Sequence, residues 1–169
     1  CSGSSTITLA DALRVSCNTA FAKLGVDLGP DALIQTAERF GYNRQPPYVL
    51  PTVRSVIPKE LDPPATAQSA IGQRDVRVTP LQAAMVVAAI VNDGKLMKPH
   101  VVAQVLDPTG RPVRGADSGA WSEGRFDGQA VSPRTAQLMR EMMVGVVSDG
   151  TGRAARIPEV EVGGTTGTA

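Results

Sequence analysis

Aromatic side chains make up only 4% of the 169 residues, and histidine occurs once. So few rings leave no base-stacking platform. His100 stands alone and the spacing of the two cysteines fits no zinc pattern, so no metal set is present. Charge of one sign is missing too: 17 basic residues face 16 acidic ones, for a net +1. The basic residues are scattered, which argues against nucleic acid as a partner. Long hydrophobic runs are absent as well. The longest apolar stretch, Leu81 to Val91, is eleven residues interrupted by Gln82. That is too short to span a bilayer and reads as a buried helix. Neither an initiator Met nor a signal peptide is present. The chain opens at Cys1 in mid-pattern, as a cut from a longer protein would, so missing targeting says nothing about localisation.

What is present fits one domain with a real core. Thr8-Leu9-Ala10-Asp11 opens a helix ending near Val15, and Asn18 or Thr19 opens a second with Ala22 and Leu24 buried. Pro30 starts a third, striped by Leu33, Ile34, Ala37 and Phe40 and closed by Gly41. Six prolines between Tyr42 and Pro64 predict an irregular loop. A short helix follows over Ala65 to Ile71. Thr79-Pro80-Leu81-Gln82 opens the strongest helix, Pro80 to Asn92, closed by Gly94. Val101 to Leu106 reads as a strand, turned by Asp107-Pro108-Thr109-Gly110 into a partner from Arg111. Ala116 to Gly128 reads as a polar loop. Ser132-Pro133 caps a helix to about Val147 with Leu138, Met142 and Val146 on one face. Val160 to Ala169 reads as a terminal strand rich in Gly and Thr. The two cysteines leave two states open: a Cys1–Cys17 disulfide in an exported domain, or Cys17 as a small buried residue with Cys1 loose or paired upstream.

Two segments at opposite ends of the chain carry the chemistry. Ser16-Cys17-Asn18 has the form S-x-N, and Gly163-Gly164-Thr165-Thr166-Gly167-Thr168-Ala169 has the form of K-T-G with Thr165 in place of Lys. Taken singly, each is weak: a Ser and an Asn between helices usually serve as caps. The surroundings add specificity. Gly72-Gln73, Val78-Thr79-Pro80-Leu81-Gln82, Asn92-Asp93-Gly94 and Asp149-Gly150-Thr151-Gly152-Arg153-Ala154-Ala155 follow in order between them. With these, the whole chain resembles the transpeptidase domain of class B penicillin-binding proteins, with actinobacterial members as the best match. One family motif is missing, since no Ser in the chain has Lys three residues later.

The resemblance implies an α+β fold: mostly the helical subdomain plus the third-motif strand of an antiparallel sheet. Residues 1–169 would be a partial domain truncated at both ends. It implies a serine D,D-transpeptidase that cross-links peptidoglycan stem peptides and is acylated by β-lactams, with no cofactor. Ser16 would relay a proton, and Asn18 would hold the substrate amide and the catalytic Lys. Thr166, Gly167 and Thr168 would bind the substrate carboxylate, with the Thr168 N–H as an oxyanion donor. Thr165 would occupy the Lys position without its charge. Partners would be stem peptides, β-lactams and the remainder of the domain, possibly in another chain. The location would be the extracytoplasmic face of the membrane, on an N-terminal anchor outside this chain. Lacking the nucleophile, the 169 residues alone are expected to be inactive and unstable. A non-catalytic binding or docking scaffold of the same fold is the alternative. For the remaining candidates, Arg74-Asp75 reads as a surface ion pair or turn in preference to a lining of the cleft, His100 as a solvent-facing loop residue, and Met139, Met142 and Met143 as core filling. Thr151 is left between a loop and the cleft border.

Overall fold

A computed structural model describes residues 6–102, 105–113 and 126–167. Six helices and one two-stranded antiparallel sheet lie among them. Four of the six α-helices start where a side-chain oxygen meets a backbone N–H group that has no partner within the helix. Thr8 caps α1 (Leu9–Arg14), its hydroxyl oxygen accepting from Asp11 N at 3.1 Å. Three further helices begin alike, with a cap followed by proline in the first turn. They are α4 (Pro63–Ser69) on Asp62, α5 (Pro80–Val91) on Thr79, and α6 (Pro133–Asp149) on Ser132. Gly29 separates α2 (Asn18–Leu28) from α3 (Pro30–Arg39) at φ 82°, a left-handed conformation that glycine adopts without penalty.

The core gathers Met85 and Ala89 of α5 with Leu96, and Phe40 and Leu81 pack on it. Only one face of α5 is inside: Val87 and Val91 are exposed. Gln82, the polar break in the apolar run, is fully buried. Its Nε2 donates to Phe40 O at 2.6 Å and closes the C-terminus of α3. The same correction applies to two other helices. In α2 it is Gly25 that is buried, against α4, while Leu24 is exposed. In α6 the inner face is Ala136, Met143, Val146 and Val147, and Leu138 faces out.

The sheet differs from expectation. Its strands are β1 (Lys95–Met97) and β2 (Phe126–Gln129), with a register shift between Leu96 and Met97. Around the Asp107 turn the described residues form one isolated bridge, Leu106 with Pro112, plus Val113 N donating to Val105 O, while residues 103 and 104 of the expected strand lie outside the described residues. Pro112 has no N–H to continue a ladder. The turn itself is as read, with Asp107 Oδ1 accepting from Thr109 N and Arg111 N. Residues 160–167 join no ladder among the described residues: apart from an Ile157–Val160 bridge, Gly164 N donates to a helix carbonyl, Met143 O, at 3.1 Å, and Thr168 and Ala169 of the expected strand lie outside the described residues. Arg74 and Asp75 pair at 3.8 Å on the surface, and His100 is exposed.

Gly25 supports a first prediction. A Cβ there would lie 2.3 Å from Ala70 Cβ. Helix propensity favours Ala over Gly by about 1 kcal/mol, and overpacking costs about 1–3 kcal/mol. Gly25→Ala is therefore expected to lower the thermal midpoint of the domain despite its better helix propensity. An unchanged or higher midpoint would show that α2 and α4 can separate freely.

Candidate active site

The S-x-N segment is the link between α1 and α2. At its start the chain turns sharply: Ser16 N donates to Leu13 O at 3.1 Å and Cys17 N to Ala12 O at 2.8 Å. The turn puts Ser16 at φ 55°, a left-handed conformation that a non-glycine residue adopts at a cost of about 1–3 kcal/mol. Cys17 points inward at 3% exposure and is disulfide-bonded, while Cys1 lies outside the described residues. With Cys17 turned in, Ser16 and Asn18 on either side face solvent.

Capping does not explain this pair. The N-cap of α2 is Cys17, without a side-chain cap, and Asn18 is already the first helical residue. Neither the Ser16 hydroxyl nor the Asn18 amide has a hydrogen-bond partner among the described residues. A strained hydroxyl and an amide, both facing solvent and both unused by the fold, are free to contact a ligand.

Arg14, two residues before Ser16, connects this link to the far end of the chain. Its guanidinium bonds Asp11 Oδ1 at 3.0 Å and, at 3.2 Å each, both the backbone and the carboxylate of Asp149 at the end of α6. Arg153 takes the other Asp149 oxygen at 2.6 Å. The Thr8 hydroxyl, and then Arg14, hold the Asp11 carboxyl below its ordinary value. The Asp11 carboxylate's bonds to Thr8 and Arg14 are therefore in place above the ordinary carboxylate range and weaken as pH falls through the lowered value. The backbone joins in, with Thr151 N donating to Arg14 O at 3.1 Å. Gly150 permits that approach, since a Cβ there would sit 2.3 Å from Arg14 O.

The third-motif segment reaches the same turn. Gly163 and Gly164 lie against α6, where added Cβ atoms would come within 3.4 Å of Met143 Cβ and 3.5 Å of Val147 Cγ2 respectively. Beyond them, the Thr166 and Thr151 hydroxyl oxygens are 3.0 Å apart. The Asp149–Gly152 turn thus holds both the Ser16 link and the Thr166 segment, 150 positions apart in sequence. Thr165 is exposed and its hydroxyl has no partner among the described residues. At Gly167 an added Cβ would meet nothing within 4 Å, so that face is open. Thr168 lies outside the described residues. No group of three or more His, Cys, Asp or Glu among the described residues could hold a metal ion.

The sequence left Thr151 between two readings and did not show the Arg14–Asp149 clasp. The only hint was a basic residue in the last turn of a helix directly before the motif.

Comparison with known proteins covers the whole chain. Residues 1–169 match the family model described as penicillin binding protein transpeptidase domain. The chain is 35% identical over its full length to peptidoglycan D,D-transpeptidase PbpA of Mycolicibacterium smegmatis, covering 33% of that protein. It is 32% identical to stage V sporulation protein D of Bacillus subtilis, over 96% of the chain and 25% of the relative. Among solved structures, PBPA from Mycobacterium tuberculosis superposes with a TM-score of 0.87 at 35% identity, covering 100% of this chain and 39% of that one. Its imipenem acyl-enzyme complex also gives 0.87, with 37% of that chain covered. The chain thus spans about a third of the length of the curated relatives it matches.

Proposed function

Because the chain belongs to the penicillin binding protein transpeptidase domain family, we propose that it forms one wall of the active site of a peptidoglycan D,D-transpeptidase. The observation that carries this reading is the pairing of Ser16 and Asn18, exposed and unused by the fold, with a Thr165–Gly167 segment tied to the same turn. The sequence contains no S-x-x-K, so the nucleophile and its Lys come from the remainder of the domain. The groove lined by Ile7, Leu9, Phe21 and Leu24 between α1 and α2 is a candidate seat for it, as Leu9 and Leu24 are apolar yet exposed.

In the assembled site a serine oxygen attacks the penultimate carbonyl of a D-Ala-D-Ala stem peptide and gives its proton to the Lys. The tetrahedral oxyanion collapses, D-Ala leaves with a proton relayed through Ser16, and an amine of a neighbouring stem peptide takes the acyl group. Asn18 holds the substrate amide and the Lys. Thr166 and Thr168 hold the terminal carboxylate, Gly167 leaves room for the peptide backbone, and the Thr168 N–H stabilises the oxyanion. β-Lactams would acylate the same serine; the M. tuberculosis relative forms acyl-enzyme complexes with imipenem and penicillin G, which supports this reading. Peptidoglycan cross-linking chemistry supports a site of action on the extracytoplasmic face of the membrane, in growth and division. No helix among the described residues is long and apolar enough to cross a membrane.

Thr165 favours a second reading. Without a charge at that position, the fold would serve as a stem-peptide or β-lactam binding scaffold. A fluorescent penicillin separates the two. Covalent labelling of the assembled domain, and none of the 169 residues alone, is expected. Reversible binding without labelling would leave the scaffold.

A further inference from the structure

Thr166 lies two residues beyond Gly164, whose N–H makes the segment's last backbone hydrogen bond among the described residues. Little in its own segment therefore fixes its side chain. Thr151 is held on both sides. Its own N–H bonds Arg14 O at 3.1 Å, and the following Gly152 N bonds Val146 O at 3.0 Å. A glycine at 150 presses the turn onto the end of α1. A hydroxyl on a fixed backbone therefore stands 3.0 Å from one on a loosely held segment.

We propose that Thr151 is a positioning residue that orients the Thr166 hydroxyl toward the carboxylate of the ligand. The inference rests on the transpeptidase reading above. A hydroxyl has one proton to give and accepts through its lone pairs. If Thr166 donates to a carboxylate, its own oxygen must accept, and Thr151 is the donor in place. Ligand binding fixes one proton order: Thr151 O–H to Thr166 Oγ1, then Thr166 O–H to the carboxylate. Each bond in such a chain polarises the next, so loss of the first weakens the second. Thr151 touches neither the reacting carbonyl nor the nucleophile, so the effect falls on binding and not on the chemical step.

The test uses the assembled domain and two forms of penicillin G, the free acid and its methyl ester. Thr151→Val keeps the shape and removes the hydroxyl. It is expected to raise the free-acid concentration giving half-maximal acylation about 5- to 20-fold, with the limiting rate within twofold. Thr151→Ser is expected to restore it. With the ester, which lacks the charged acceptor, Thr151→Val and the unmodified domain are expected to match. Equal losses with acid and ester would make Thr151 merely structural and overturn the proposal. No loss with the acid would overturn it too, with the transpeptidase reading intact. If the unmodified domain is not acylated, that reading fails first. Should Thr151→Val not fold, Thr151→Ala and the acid-to-ester ratio decide in its place.

Discussion

Ser16→Ala in the assembled domain is expected to slow penicillin acylation by about 100- to 10,000-fold, the range that a positioned proton-transfer group contributes. The effect is expected in the limiting rate rather than in binding, since the serine would act on the leaving nitrogen and not on the carboxylate. Stability should move the other way or not at all. Ser16 makes no side-chain hydrogen bond among the described residues, and its left-handed φ of 55° costs energy whatever the side chain. Ser16→Gly separates the two contributions. It relieves the backbone conformation and so raises the thermal midpoint, while the rate falls as far as in Ser16→Ala. Conserved rates with a lowered midpoint would make Ser16 a structural turn residue and remove the central support of the transpeptidase reading.

The readable parts of this fold are those governed by neighbouring residues. Thr8, Thr79 and Ser132 each precede a helix by one residue, and the cap, the first-turn geometry and, after Thr79 and Ser132, the proline all lie within four positions. Asp62 does the same ahead of two prolines, yet α4 starts two residues earlier than expected. The prolines read as breakers, whereas in the first turn their missing N–H is no loss. The sheet was not legible. β1 and β2 are three and four residues long, and β2 contains Asp127 and Gly128, both poor strand formers. Their pairing depends on the turn after α5 and on Leu96 entering the core, which no local pattern encodes. The Val-rich stretch from Val101 had the opposite fate. Its residues favour a strand, yet among the described residues the pairing comes to one bridge at Pro112 and one bond from Val113 N to Val105 O.

The candidate site divides in the same way. Ser16 and Asn18 were visible as a motif, and only the structure set aside capping, by placing the buried Cys17 at the N-cap. Thr165 and Thr166 were visible as a departure and a match. What joins the two motifs was not visible, because Arg14 and Asp149 lie 135 positions apart and each has ordinary surface chemistry of its own.

Thr165→Lys is expected to raise the acylation rate of the assembled domain about 10- to 100-fold. A hydrogen bond to a charged group contributes about 1.5–3 kcal/mol, and each 1.36 kcal/mol is tenfold in rate. The local geometry favours this outcome. Thr165 is exposed, so a longer side chain displaces nothing packed. A new cation could be lost to a nearby acid, yet Asp149 already has a partner on each oxygen, Arg14 on one and Arg153 on the other. The ammonium would remain available to the ligand carboxylate and to Ser16. Thr165→Met supplies comparable length without charge and should leave the rate near that of the unmodified domain. The gain from Lys should also shrink as salt rises, because an exposed charge is screened within about 10 Å at 0.1 M ionic strength. Equal gains from Met and Lys would assign the effect to packing. No gain from either, in a domain that Ser16→Ala still slows, would mean that another cation already serves the carboxylate, and the uncharged Thr165 would then cost the enzyme nothing.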